Sequence, residues 1–202
     1  MSTRFVAVTS VTILLGGCTP DRPVPTEWEA SAPVFVAAQH SNLGTHLTGA
    51  EEVFTPTVPG GPTPADSRAQ GQATFHVAAD GGTVDFKLIA SNIDHVIMAH
   101  IHCGPVGVNG PIIMWLHPVI GPTGAPLPGG GGPQNGVLAT GTFSPTGIVC
   151  PAAAVGVDTP MLDAMRAGLV YVNVHTNDGV GSPNTGPGDF PGGEVRGQLD
   201  RP

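Results

Sequence analysis

Charge and aromatics are both scarce in this chain: 11% of its 202 residues are charged and 5% are aromatic, with a single tyrosine. Positive charge is scarcest. Seven Lys and Arg stand against fifteen Asp and Glu, a net charge of −8, which argues against a nucleic-acid partner, because that binding rests on clustered positive charge. Long apolar runs are missing too, since Phe5 to Leu15 falls well short of the roughly 20 residues of a spanning helix. Helix formers are thin beside 30 Gly and 22 Pro. That turn-rich balance favours an all-β sandwich or barrel. No nucleophile–base pair and no paired carboxylates occur at useful spacing. Asp85, Asp94 and Asp178 read as surface or turn residues, so an enzyme ranks behind a binding protein.

What is present begins with an export signal. Arg4 supplies the positive end, Phe5 to Leu15 the apolar core, and "LLGGC", Leu14 to Cys18, resembles the lipobox of bacterial lipoproteins. On this reading residues 1–17 are a signal peptide and Cys18 carries the lipid. The mature protein is then extracytoplasmic and membrane-anchored, facing the periplasm or cell surface. Thr19, in place of the Asp associated with inner-membrane retention, favours the outer membrane. Residues 18–33 are proline-rich and polar and read as a tether, and 34–202 as one β domain.

Three cysteines occur in all. With Cys18 lipidated, Cys103 and Cys150 remain in a compartment where disulfides persist, and they are expected to pair. A thiolate metal ligand at Cys103 is the competing reading.

Alternation and turn signals mark a strand and turn at Leu43 to Val53 and strands at Gly71 to Ala78, Thr83 to Ala90, Ile93 to Cys103, Ile112 to Leu116, Val137 to Phe143, Leu169 to Thr176 and Gly193 to Leu199. "ADGG" joins the second and third as a hairpin turn. Gly121 to Gly136 reads as a surface loop. One short helix is predicted at Thr159 to Gly168, with Thr159 as cap, Pro160 in the first turn and Gly168 as stop.

The chemistry-bearing motif is "MAHIHCGP", Met98 to Pro105. On a strand, Ile97, Ala99 and Ile101 share one face and Met98, His100 and His102 the other. In the strand ending at Thr176, Tyr171, Asn173 and His175 lie opposite Val170, Val172 and Val174. If both strands belong to one sheet, three histidines share its outer face. Same-face residues are about 7 Å apart along a strand and cross-strand neighbours about 5 Å. Three imidazoles so placed can converge on one ion. Three neutral imidazoles with an open position suit copper or zinc, and the Irving–Williams order favours copper. Met98, His117 and Glu194 are further ligand candidates. The alternative for any His-x-His pair is exposed or hydrogen-bonded side chains, which is the expectation for the solitary His40, His46, His76 and His95.

Four pieces, "LTGAEEV" at Leu47 to Val53, "MAHIHCGPVGVNGPIIMWL" at Met98 to Leu116, "YVNVHT" at Tyr171 to Thr176 and "PGGEVRGQL" at Pro191 to Leu199, together resemble the chordin-type CHRD domain. The resemblance implies an all-β, immunoglobulin-like or Greek-key fold. It carries His100, His102, His175, Glu194 and Arg196 over as recurring polar positions. The insert at Gly121 to Gly136 and the loop "NDGVGSPNTGPGDF" depart from the pattern and leave open whether the histidine face is covered. Copper/zinc superoxide dismutase also carries a His-x-His pair on the outer face of a Greek-key barrel. The similarity ends with that pair and the architecture, so dismutase activity is a minor alternative.

Two functions follow as expectations. The first is a lipid-anchored metal-binding domain, copper preferred, for storage, delivery or tolerance. The second is a metal-free module that contacts a protein or envelope polymer.

Overall fold

A computed structural model describes residues 42–56, 59–118, 131–180 and 185–199. The signal peptide, Cys18, the tether and His40 lie outside the described residues. The strands are β1 (Asn42–Thr48), β2 (Gln70–Val77), β3 (Val84–Ile93), β4 (Val96–Cys103), β5 (Ile112–His117), β6 (Gln134–Phe143), β7 (Val149–Cys150), β8 (Thr159–Pro160), β9 (Val170–Thr176) and β10 (Val195–Gln198). Helices α1 (Ala152–Val155) and α2 (Met161–Arg166) flank β8.

Eight of these strands form one antiparallel sheet in the order β5-β4-β9-β10-β1-β2-β3-β6. Its two ends, β5 and β6, come back beside one another. The sheet therefore nearly closes into a barrel, which removes most of the exposed edge an open sheet would carry. Alternation fills the interior: Leu43 and Leu47 of β1, Phe75 and Val77 of β2, Val84 and Leu88 of β3, Ile101 of β4 and Val172 and Val174 of β9 are all buried. Met161, Ala164 and Met165 of α2 add a fully buried apolar face. Among the described residues no helix is long and apolar enough to cross a membrane.

Cys103 and Cys150 are joined. The bridge ties the end of β4 to β7, and both cysteines are buried.

Three boundaries differ from the sequence expectations. The predicted helix starts later, at Met161. Thr159 pairs with Cys150 in a two-stranded sheet and turns its hydroxyl to Val157 O, so it does not cap. β6 starts at Gln134, inside the predicted loop, because β3 runs on to Ile93 and offers it a partner through irregular register. The predicted strand from Ile93 is broken at Asp94 and His95, where His95 adopts a φ of 50° and its backbone N–H bonds to Asp94 Oδ1.

Candidate metal centre

β4 and β9 are antiparallel neighbours, with Met98 opposite His175, His100 opposite Asn173 and His102 opposite Tyr171. The three histidines therefore share one face, and their ligand-capable atoms lie within 4.8 Å of one another. His46, His76 and His95 stand apart: His46 is exposed, His76 bonds to Asn42 Oδ1, and His95 sits beside Asp94.

This outward face is not open to solvent. His100 is fully buried and His102 and His175 are 9% and 7% exposed. Three segments roof it: 49–56, 104–111 and 186–193. The roof is fastened by side chains from the sheet. Arg196, on β10, donates from Nη1 to Asn109 Oδ1 at 3.0 Å and from Nη2 to Val108 O at 3.0 Å. Gln198 Nε2 donates to Gly104 O at 2.9 Å. Asn109 Nδ2 in turn donates to Val53 O, linking two roof segments.

The roof also fixes the imidazoles. His102 Nδ1 lies 2.9 Å from Gly110 O and His175 Nδ1 lies 2.9 Å from Pro191 O. A carbonyl accepts only, so both Nδ1 atoms carry the hydrogen. Each Nε2 then presents a lone pair, the arrangement by which metal-ligating histidines are oriented. His175 Nε2 lies 3.2 Å from His100 Nδ1, which therefore donates to it, so His175 Nε2 becomes a ligand only when that hydrogen bond is given up, while His100 Nε2 keeps a free lone pair. Neither His100 Nε2 nor His102 Nε2 has a partner among the described residues, and both are buried. Only glycine fits at 110, where the 104–111 segment passes close to β4: a Cβ there would stand 1.5 Å from Cys103 O.

Burial, reinforced by the neighbouring His175 and His102, pulls His100 down to about 3. His175 falls to about 4, chiefly by burial, and burial lowers His102 as well. All three are neutral at pH 7, the state that binds a metal.

Aromatic rings pack around the cluster. Trp115 meets His100 edge to face with centroids 4.0 Å apart, and Tyr171 stacks on His102.

The further ligand candidates fare differently. Met98 stays adjacent to the cluster, opposite His175. His117, opposite Ala99 at the end of β5, does not join the gathered atoms. Glu194 is fully buried and committed elsewhere: it accepts hydrogen bonds from Ser67 Oγ, from Thr176 Oγ1 at 2.7 Å and from Gly188 N at 3.0 Å. Its role is to hold the 186–193 segment. Cys103 is in the disulfide, which removes it as a thiolate ligand.

Two residues of this face were not singled out from sequence. Glu52 receives Asn173 Nδ2 on both carboxylate oxygens, at 2.7 and 3.0 Å. Burial pushes Glu52 up to about 8, against the opposing pull of Arg196 and of the Asn173 hydrogen bond. Asn173 was legible as a member of the face by parity. Its partner was not, because Glu52 arrives from a non-periodic loop.

The CHRD domain profile matches residues 43–199. The chain belongs to the CHRD family. No curated protein and no solved structure matches it. All of the face just described lies inside the matched span, including Glu52 in "LTGAEEV" and Arg196 in "PGGEVRGQL".

Proposed function

We propose that this CHRD domain binds one transition-metal ion through His100, His102 and His175, with copper preferred over zinc, and serves copper storage, delivery or tolerance. We place it outside the cytoplasm, held to a membrane by lipid on Cys18. The observation that carries the metal reading is the pair of Nδ1–H donors on Gly110 O and Pro191 O. They turn Nε2 of His102 and of His175 inward beside a third histidine, His100, which lies 3.2 Å from His175 Nε2 through its Nδ1. Imidazole nitrogen suits both metals, and the Irving–Williams order supports copper. The lipid anchor rests on "LLGGC" alone.

The test is metal content and Cu²⁺ electron paramagnetic resonance on the purified chain, after copper loading and a mild chelator wash. One retained copper with nitrogen hyperfine structure, lost when all three histidines become Ala, is the expected result. An unchanged copper content in that triple variant sinks the reading.

A second reading has one observation behind it. Val53, Val106 and Val108, all on the roof, are exposed, as a surface for a protein or envelope partner would be. Crosslinking in cells with a probe at Val106 tests it, and no crosslinked species counts against it.

A further inference from the structure

Three atoms buried on this face have no hydrogen-bond partner among the described residues: His100 Nε2, His102 Nε2 and Asn173 Oδ1. All three are acceptors. The nitrogens are answered by an ion. The oxygen is not, and it asks for a hydrogen.

Asn173 is held with its nitrogen, not this oxygen, towards Glu52. It is 3% exposed, stands between His100 of β4 and Arg196 of β10 in register, and is two residues from His175. Its amide nitrogen is taken by both oxygens of Glu52. In a planar amide the oxygen then points off the Glu52 side. Gly193 closes over the group, since a Cβ there would lie 2.5 Å from Asn173 Nδ2 and 2.9 Å from Asn173 Oδ1.

Resting on the metal reading above, we infer that Asn173 selects what fills the remaining metal position beside the three histidines. Its carbonyl oxygen accepts a hydrogen bond from a water there and discriminates against anions that carry no hydrogen. Glu52 acts through Asn173 by fixing the amide, and is a positioning residue. The protein thus leaves one position on the ion to an exchangeable ligand beneath the roof and chooses its occupant by hydrogen bonding.

The probe is azide, an acceptor-only anion, titrated into the copper-loaded chain and followed by its charge-transfer absorption and by electron paramagnetic resonance. Wild-type protein is expected to take one azide per copper, weakly. In Asn173→Ala the water loses its acceptor, so azide affinity should rise about three- to tenfold, the worth of one hydrogen bond. In Asn173→Asp, which keeps the shape and adds an anionic oxygen, azide affinity should fall. General damage to the site would not raise anion affinity in one variant and lower it in the other. Copper retained but indifferent to azide, or azide affinity equal in all three proteins, overturns this inference alone. Absence of histidine-dependent copper overturns the metal reading and this one with it.

Discussion

Tyr171 lies flat on His102, with ring centroids 4.8 Å apart and planes 10° from parallel, while the guanidinium of Arg196 sits 3.5 Å from the same ring's centroid. Because β9 lies between β4 and β10, the tyrosine is held from both sides. Its hydroxyl accepts from Gly110 N at 3.0 Å, next to the carbonyl that orients His102. The stack therefore joins a histidine of the site to the cation that fastens the roof.

Replacing Arg196 by Ala removes that clamp. Arg196 is 1% exposed, and its loss frees Asn109 and Val108 and uncovers Tyr171. The expected cost is about 3 kcal/mol in denaturant unfolding. Arg196→Lys should recover less than half of it, because an ammonium cannot reach the same set of carbonyls while stacking on the ring. Full rescue by Lys would mean that charge alone is what matters here.

The Cys103–Cys150 bridge closes a loop of 47 residues in sequence separation. Chain entropy assigns such a loop about 4 kcal/mol. The double Ser variant should melt lower by about 10 °C, taking 2–4 °C per kcal/mol for a domain of this size. Cys103 directly follows His102, so the variant also reports on the site: copper content measured well below its melting temperature should be retained, since His102 and His175 are oriented by the Gly110 and Pro191 carbonyls and not by the disulfide.

Much of this arrangement follows from parity. Alternation in "IMAHIHC" and "VYVNVHT" assigns His100, His102 and His175 to one face, and only one fact outside local sequence, that β4 and β9 pair, was needed to bring them together. The roof does not follow from parity. Asn109, Gly110 and Pro191 lie in segments with no period, and their contacts depend on loop paths set by distant partners such as Arg196. Thr159 shows the same limit from another side. It carries every local sign of a helix cap, yet a partner nine residues away, Cys150, holds it as a strand. Likewise "PQNG" reads as loop until β3 offers it an edge to pair with.

Glu52 gives the protein a pH dependence of definite sign. Its folded pKa of about 8 lies above the ordinary value of 4.5, so between these values the native state holds more protons than the unfolded one. Stability from this group is complete below about pH 4.5 and is lost as pH rises towards 8. The depressed histidines, His117 among them, act in the opposite sense, and their effect fades only about a unit above their ordinary 6.5. The difference in unfolding between wild type and Glu52→Gln, measured on the metal-free chain between pH 6.5 and 8.5, therefore isolates the carboxyl, because the histidines are common to both. Wild type should lose stability relative to Glu52→Gln as pH rises across that window. Equal slopes in the two proteins would show that Glu52 ionises normally.

Trp115 offers a direct readout of the site. Its indole lies against His100, centroids 4.0 Å apart, whereas the chain's other tryptophan, Trp28, falls in the proposed tether. In a Trp28→Phe background, Cu²⁺ bound at the histidines should quench the emission of Trp115 by energy and electron transfer, and Zn²⁺, with its filled d shell, should not. The titration gives an affinity for each variant. His102→Ala and His175→Ala should each weaken copper by about a hundredfold or more, since even loss of the groups that merely orient a ligand costs 10- to 100-fold. His46→Ala, exposed on β1, should change nothing. Quenching that survives in His175→Ala at wild-type affinity would place the ion elsewhere and remove the three-histidine site from the account.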